Sequence, residues 1–237
     1  MKYSYLTILS VLVSLLCLGQ TTGNEKPKFG TPPEKSRDSF HGQAVVGPQE
    51  DGSYIVGTSQ IIDPVGYTQT FPGRPVDIAL NSEGTIMAVK NMSGIVFFNV
   101  KTRSIIQTLE LPKGVGNSYN GIGWGAGDKK VWTTDSKGFL RSASQKNGSS
   151  FNWDDAIELP AIAFKEEAFF DRVQKGSYPG GFAIDNKNEI IYVALNRNNE
   201  IGIVNLKTGK LERKIPVGIA PYSVVLKQNK AYVTNWG

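Results

Sequence analysis

Cysteine and histidine are almost missing from this sequence, and their scarcity excludes several kinds of chemistry. The 237 residues include one cysteine, Cys17, and one histidine, His41. A single histidine with no cysteine nearby does not supply the clustered ligands of a zinc site. One cysteine also excludes a disulfide framework within the chain. We therefore expect a fold held together by packing, with no metal centre and no cofactor.

Short catalytic motifs are also missing. The sequence contains no G-x-S-x-G nucleophile elbow, no P-loop and no H-E-x-x-H zinc motif. The acidic pairs Asp154-Asp155 and Glu166-Glu167 are adjacent in sequence. Neighbours on a strand point to opposite sides, so these pairs are poor candidates for a shared acid–base site. We predict no catalytic residue in this chain.

The sequence has no strong excess of charge of one sign. The formal net charge is +5, with 26 basic and 21 acidic residues. Nucleic-acid-binding domains usually gather lysine and arginine on one face. We therefore expect no nucleic-acid partner, and predict an unknown polar or anionic ligand or a protein partner instead.

Long apolar runs are lacking as well. The stretch from Leu6 to Leu18 is shorter than the ~20 residues that a membrane-spanning helix needs. Lys2 precedes it and the small residues Thr21-Thr22-Gly23 follow it, which is typical of a signal peptide over residues 1–23. Contact with a membrane is therefore expected only through this segment. Residues 24–48, rich in Pro, Lys, Gly and Ser, are predicted to be a flexible linker. Because Cys17 would leave with the signal peptide, these features favour an exported bacterial protein, periplasmic or extracellular.

What the sequence does contain is a repeat in its last sixty or so residues. Tyr178-Pro179-Gly180-Gly181 and Ala220-Pro221-Tyr222-Ser223 open two similar stretches. Each continues with an apolar run, a polar turn and a second strand that ends in asparagine, Asn196 or Asn235. Short strands repeating every ~40 residues predict an all-β fold, a β-propeller of four-stranded antiparallel blades. We predict this propeller over residues 49–237, with blades at about 73–111, 120–160, 179–217 and 220–237. Residues 161–176 are an excess segment, predicted to be a short helix or an ordered loop.

Several motifs carry a resemblance to a known family. The opening Gly-x-x-Pro-x-x-Val of residues 218–224, the hairpin of residues 205–210 and Tyr232-Val233-Thr234-Asn235 resemble the YVTN family of β-propeller repeats. The lead-in of residues 47–54 is similar to an exported branch in which the propeller precedes an alkaline-phosphatase-like phosphoesterase domain. The resemblance implies about seven blades. The three and a half visible here are therefore expected to be the N-terminal part of a larger protein.

Strand alternation predicts where a binding site would lie. The loop before the first strand of a blade and the loop after its second strand share one face, and loops on repeat scaffolds tend to carry function. That face also includes Lys90, Tyr119 and Trp236. The predicted ligand-binding residues on it are Arg74, Asn91, Tyr178, Asn196, Arg197, Tyr222 and Asn235. The asparagines can equally satisfy backbone groups in turns, and the tyrosines can equally pack between blades.

Two classes of function follow. The first is an exported, non-catalytic binding or docking module. The alternative is a propeller enzyme, either lactonase-like or a subunit of a quinone-linked dehydrogenase, which rests on family analogy alone.

Overall fold

The computed structural model describes residues 45–145, 150–162 and 176–237. The predicted signal peptide, residues 24–44 of the predicted linker and residues 163–175 of the excess segment lie outside this range. The chain divides into two units, residues 1–69 and 70–237. In the described part of the first unit, three two-residue strands form an antiparallel sheet: β1 (Gly47–Pro48), β2 (Tyr54–Ile55) and β3 (Ile61–Ile62). Within the described residues, no helix is long and apolar enough to cross a membrane.

The second unit begins with a four-stranded antiparallel sheet whose strands are paired in chain order. Its strands are β4 (Pro75–Leu80), β5 (Ile86–Asn91), β6 (Gly94–Asn99) and β7 (Ser104–Glu110). Asn81 closes the first turn, because its side-chain oxygen accepts hydrogen bonds from the backbone of Thr85 and Ile86. Such local side-chain bonds are typical of asparagine in turns.

The second sheet differs from the sequence prediction at both edges. Its strands are β8 (Asn117–Trp124), β9 (Lys130–Asp135), β10 (Phe139–Gln145), β11 (Phe151–Trp153) and β12 (Ile157–Glu158). The first strand begins at Asn117, before the predicted Gly121. The outer strand, predicted as one segment at 156–159, is in two pieces that both pair with β10. Asp154 interrupts it, because its carboxylate accepts hydrogen bonds from the hydroxyls of Ser142 and Ser144 on β10.

The third sheet again has four antiparallel strands, and a two-stranded hairpin follows. The strands are β13 (Pro179–Asp185), β14 (Ile190–Leu195), β15 (Glu200–Asn205), β16 (Lys210–Pro216), β17 (Pro221–Lys227) and β18 (Lys230–Asn235). The first strand of each sheet is its innermost strand: β4, β8, β13 and β17. Three of these strands begin at proline, which is tolerated there because the first residue of a strand need not donate to the ladder. The all-β fold built from four-stranded antiparallel sheets is confirmed.

The innermost strands lie side by side around a common axis. β4 contacts β8, β8 contacts β13, and β13 contacts β17. Each of these strands has a shift in register near its start, between Pro75 and Asp77 in β4 and between Asn117 and Ile122 in β8. A bulge bends a strand and increases its twist. The backbone is therefore bent near the start of the innermost strand in each of the four sheets.

Apolar side chains fill the spaces between neighbouring sheets. Between the first and second sheets, the rings of Phe97 and Phe151 stack at 4.0 Å, and Trp124 meets Phe97 edge-on. Trp132 and Leu140 of the second sheet pack with Ile191 and other residues of the third. A third cluster joins β14 and β15 to β17: Ala194, Ile201 and Val224. Both faces of the central strands are thus covered, as their consecutive apolar residues predict.

Removing the Phe97 ring is expected to weaken the interface between the first two sheets. Phe97 is fully buried, and truncation of a buried phenylalanine costs about 3–5 kcal/mol because a cavity remains. Urea unfolding followed by tryptophan fluorescence should show this loss in Phe97→Ala. Val100→Ala, at a half-exposed position, is the control and should change the free energy of unfolding by about 0.5 kcal/mol or less. Equal effects of the two changes would contradict the described interface.

Candidate functional site

Four aromatic rings from three neighbouring sheets meet at one end of the axis. Tyr119 lies on β8, Tyr178 precedes β13, Tyr222 lies on β17 and Trp236 follows β18. The centroids of Tyr119 and Tyr178 are 5.3 Å apart, and Trp236 stacks on Tyr222 at 4.5 Å. Tyr119 and Trp236 are 6.3 Å apart and join the two pairs. We call these four residues the axial aromatic cluster.

Positive charge lies beside this cluster. The guanidinium of Arg197 sits 5.1 Å from the centre of the Tyr178 ring, in the range of a cation–π contact. Burial, followed by a hydrogen bond to Tyr119 and the Tyr119 phenol itself, raises the pKa of Tyr178 to about 12, against the opposing charges of Arg197 and Arg74. The Tyr178 phenol therefore keeps its proton near neutral pH and remains a hydrogen-bond donor.

The backbone of Tyr178 is unusual. Its φ of +48° lies in the left-handed region, which residues other than glycine seldom adopt. Ala220, at the equivalent place before Pro221, has a φ of +51°. Left-handed residues outside glycine are often found at ligand sites, where the surrounding structure enforces them.

Two asparagines connect the cluster to the sheets. Asn120 Nδ2 donates to the Tyr222 carbonyl oxygen at 3.0 Å, and Asn196 Nδ2 donates to the Pro221 carbonyl oxygen at 3.1 Å. Asn120 is buried, and no donor in the described part of the chain reaches its Oδ1. A cavity of about 20 Å³ lies against Asn120, Asn196 and the four rings. The visible surface is therefore a shallow platform with one small hole.

A buried lysine supports Asn120 from beneath. Lys90 is fully buried, and its Nζ donates to oxygens of Ser118, Asn120, Gly121 and Thr134. The Asp77 carboxylate accepts a hydrogen bond from the Gly121 backbone at 2.7 Å. These bonds hold the irregular stretch of β8 that presents Tyr119 and Asn120. The face argument from sequence placed Lys90 at the rim, whereas its ammonium lies inside the fold.

Desolvation dominates the titration of this lysine. Burial lowers the pKa of Lys90 from 10.5 to about 7, while the negative charges of Asp77 and Asp135 favour the protonated form. Without those carboxylates and the surrounding acceptors, burial of the ammonium would be still less favourable.

Asn91 and Asn235 occupy equivalent turns at the same end. Asn91 is buried; its Oδ1 accepts from the backbone of Arg74 at 2.7 Å and Met92 at 2.9 Å, and its Nδ2 donates to the Pro72 carbonyl. Its side chain rests on Gly73, where an added Cβ would come within 2.3 Å. Asn235 is exposed and lies against Gly218 in a similar way. The Asn91 amide is thus occupied by the turn.

The structure brings together Tyr178, Asn196, Arg197 and Tyr222 from the predicted set, with the charge of Arg74 in reach. Among the described residues, no group of three or more His, Cys, Asp or Glu side chains is placed to hold a metal ion. The sequence argument missed Asn120 because it started this strand at Gly121, whereas β8 begins at Asn117. The surface formed by these residues can stack flat groups and attract negative charge.

Comparison with known proteins establishes the fold. No protein-family model and no curated protein matches the chain. Among solved structures, the WD40 repeats of RRP9 align with a TM-score of 0.53 at 8% identity, over 70% of this chain and 46% of that one. A protein of unknown function from Desulfotomaculum acetoxidans aligns with a TM-score of 0.50 at 13% identity, over 70% and 50%. The fold is a β-propeller.

A third match concerns a much longer chain. Raptor from Chaetomium thermophilum aligns with a TM-score of 0.50 at 16% identity, over 67% of this chain and 14% of that one. The chain thus spans half or less of the length of these solved structures. At such low identity the likeness concerns the fold alone, so the four sheets are propeller blades and the aromatic cluster lies at one end of the propeller axis.

The buried lysine is expected to make stability depend on pH. Between about pH 7 and pH 10.5 the folded chain has released the Lys90 proton, while the unfolded chain still holds it. Since the unfolded state binds more protons, the free energy of unfolding should rise with pH in this window. At ~1.4 kcal/mol per pH unit the total effect is a few kcal/mol, absent below about pH 7. Urea unfolding at several pH values should show a flatter slope for Lys90→Met than for the unchanged chain.

The matched control is Lys113→Met, since Lys113 is exposed in the turn before β8. It should leave the slope unchanged. Identical slopes for the Lys90 variant and the unchanged chain would argue against the buried ammonium.

Proposed function

We propose that this propeller is a non-catalytic binding module that docks its ligand on the axial aromatic cluster. The observation that carries the proposal is the convergence of four rings and Arg197 on one shallow platform. Aromatic and arginine side chains are enriched where proteins bind their partners, because they combine large contact areas with polar groups. The β-propeller supplies the rigid base, and the polar or anionic partner is recognised at its end.

The shallow site favours a ligand that docks on the surface over a small molecule that is enclosed in a pocket. Pockets that enclose small molecules usually measure about 300–1,000 Å³, whereas the cavity beside Asn120 measures about 20 Å³. That volume holds about one water molecule. A ligand at this face therefore rests on the rings and sends at most one small group inward.

The family and the location are part of the same proposal. The residues Tyr232-Val233-Thr234-Asn235 form the end of β18, and Gly218 packs beneath Asn235, which supports a YVTN-type repeat. We place the protein in the exported bacterial branch whose propeller precedes an alkaline-phosphatase-like phosphoesterase domain. The support for that branch is the sequence resemblance of residues 47–54 and 71–77 and the pattern of a signal peptide in residues 1–23.

Exposed apolar faces support a propeller with more blades than the residues described here form. Ile78 is 61% exposed on the first blade, and Val225 is 60% exposed on the fourth. Blades of a closed propeller cover such faces with their neighbours. We infer that further blades of a larger protein pack against these two faces.

The 237-residue chain should therefore self-associate. Exposed apolar sheet faces associate in water because contact removes their surface from solvent. Sedimentation velocity should show a weight-average mass that increases with concentration. The double variant Ile78→Lys/Val225→Lys should remain closer to the monomer.

The double variant Thr102→Lys/Asn186→Lys adds the same charge at exposed polar positions and serves as control. Its association should match that of the unchanged chain. A chain that stays monomeric at every concentration would remove the support for uncovered blade faces.

Binding at the aromatic cluster can be tested on an array of immobilised saccharides and peptides. The unchanged chain should give signals that Arg197→Ala/Trp236→Ala reduces about tenfold or more, since both a ring and a charge are lost. The control is Lys187→Ala/Tyr232→Ala, which removes one positive charge and one exposed ring elsewhere. Signals that persist in the cluster variant, or no signal for the unchanged chain, would contradict docking at this face.

A further inference from the structure

A cavity lies between the second and third blades, at the end opposite the axial aromatic cluster. Its walls come from the turns between β8 and β9 and between β13 and β14, and from the ends of β10 and β15. β8 carries Tyr119 near its start and finishes at Trp124, so these turns lie at the far end of the blades. The cavity measures about 350 Å³, which is within the range of pockets that hold small molecules. It is therefore a second candidate site, separate from the axial aromatic cluster.

Trp132 presents an unused hydrogen-bond donor to this cavity. The indoles of Trp124 and Trp153 donate to backbone carbonyls, at 3.1 and 2.7 Å. The Trp132 N–H donates to no acceptor among the described residues, although Trp132 is only 6% exposed. Unlike Asn120 Oδ1, its Nε1 is not closed off from solvent, and a Cβ at Gly125 in the cavity wall would lie 3.3 Å from it. A buried indole N–H usually has a partner, so an acceptor that enters the cavity would be favoured.

Two lysines give the cavity a positive wall. Lys129 and Lys130 both line it, and the Lys130 ammonium lies 5.3 Å from the centre of the Trp132 ring. Lys129 is exposed and has no ion-pair partner in the described part of the chain. An indole N–H and two ammonium groups therefore line one cavity, and their donors are only partly used.

The acidic groups nearby are already neutralised. Asp154 accepts hydrogen bonds from two serine hydroxyls and lies 3.5 Å from Lys130 Nζ. Glu189, which lines the cavity, pairs with Lys207 at 3.0 Å. Against these two carboxylates stand three ammonium groups, those of Lys129, Lys130 and Lys207, so one positive charge is in excess. A ligand with negative charge would be attracted, and a cation would be repelled.

We propose that this cavity binds a small anion through a carboxylate or phosphate group. One oxygen of that group accepts a hydrogen bond from the Trp132 indole, and Lys129 and Lys130 balance its charge. Charge-assisted hydrogen bonds are stronger than neutral ones, so an oxyanion gains more here than a neutral acceptor of the same shape. The indole and the two ammonium groups are donors only, so they would not hold a cation.

Nuclear magnetic resonance can observe the indole N–H directly. The chain has four tryptophans, so the ¹⁵N–¹H spectrum contains four indole signals, and triple-resonance assignment identifies that of Trp132 without altering the core. Titration with sodium acetate or sodium phosphate at about pH 7 and constant ionic strength should move this signal downfield until it saturates. The signals of Trp124 and Trp153, which are already hydrogen-bonded, should stay in place. Acetamide, which has the shape of acetate without its charge, should bind at least about tenfold more weakly.

The double variant Lys129→Met/Lys130→Met tests the positive wall. It should weaken the binding of both anions about tenfold or more, because two positive charges are lost. The control Lys101→Met/Lys113→Met removes two exposed lysines outside the cavity and should leave binding within about twofold of the unchanged chain. Thermal unfolding followed by circular dichroism checks that both double variants are folded.

Gly125→Ala tests the position of the indole N–H. The backbone of Gly125 is extended, with φ −78° and ψ 177°, so alanine can adopt it, and the new methyl group would lie against Trp132 Nε1. Binding should weaken about threefold or more. Gly116→Ala, whose methyl group would have only ordinary contacts at 3.5 and 3.6 Å, should have no effect.

Three results would overturn the site. They are no movement of the Trp132 signal with either anion, equal movement with acetate and acetamide, and equal binding by the Lys129→Met/Lys130→Met variant and the unchanged chain. Movement with phosphate alone, or with acetate alone, would support the site and identify the group that it takes. None of these results bears on docking at the axial aromatic cluster, which the array tests by itself.

Discussion

The structure depends on the face-to-face packing of neighbouring blades. The central strands carry apolar residues at consecutive positions, so neither of their faces can be left in water without a loss of about 25 cal/mol for each Å² of apolar surface. Phe97 against Phe151 and Trp132 against Ile191 show how this surface is covered. Stacking about a common axis follows, and it brings the first strands of successive blades together. The aromatic cluster is a product of that stacking, because its rings come from three blades and none of these blades presents it alone.

The site also depends on irregular backbone. Ser118 to Gly121 lie where β8 departs from regular pairing, so their backbone groups need partners other than the neighbouring strand. The Lys90 ammonium donates hydrogen bonds to the backbone oxygens of Asn120 and Gly121, and the Asp77 carboxylate accepts one from the Gly121 amide. A charged side chain is thus taken out of water to hold the stretch that carries Tyr119, whose ring is exposed. Rigidity at the platform is obtained from polar bonds beneath it.

Much of this architecture could be predicted from sequence, because the repeated motif is visible in it. Pro179 and Pro221, with the strands that follow, indicate the period, and strand alternation indicates which loops share a face. The contacts of Asn120 could not be predicted, since the second blade departs from the repeat motif and its bulge changes which residues face the axis. Lys90 was misjudged for a related reason: a lysine near the end of a strand is usually exposed, and only the four acceptors contributed by another blade explain its burial. The divided outer strand, β11 and β12, depends on hydrogen bonds from Ser142 and Ser144 to Asp154, which the repeat pattern does not show.

The turn formed by Gly73 and Asn91, and its counterpart at Gly218 and Asn235, separates architecture from recognition. The asparagine and the glycine hold this turn. The side chain of the residue just before the proline that opens the strand is therefore not needed to hold it. Arginine, tyrosine and alanine stand at this position in three blades: Arg74, Tyr178 and Ala220. Tyr178 and Ala220 share a left-handed backbone at this position, whereas Arg74 does not. Because Asn91 bonds to the backbone of Arg74 and Met92, the side chain at position 74 can differ while the hydrogen bonds of the turn are kept.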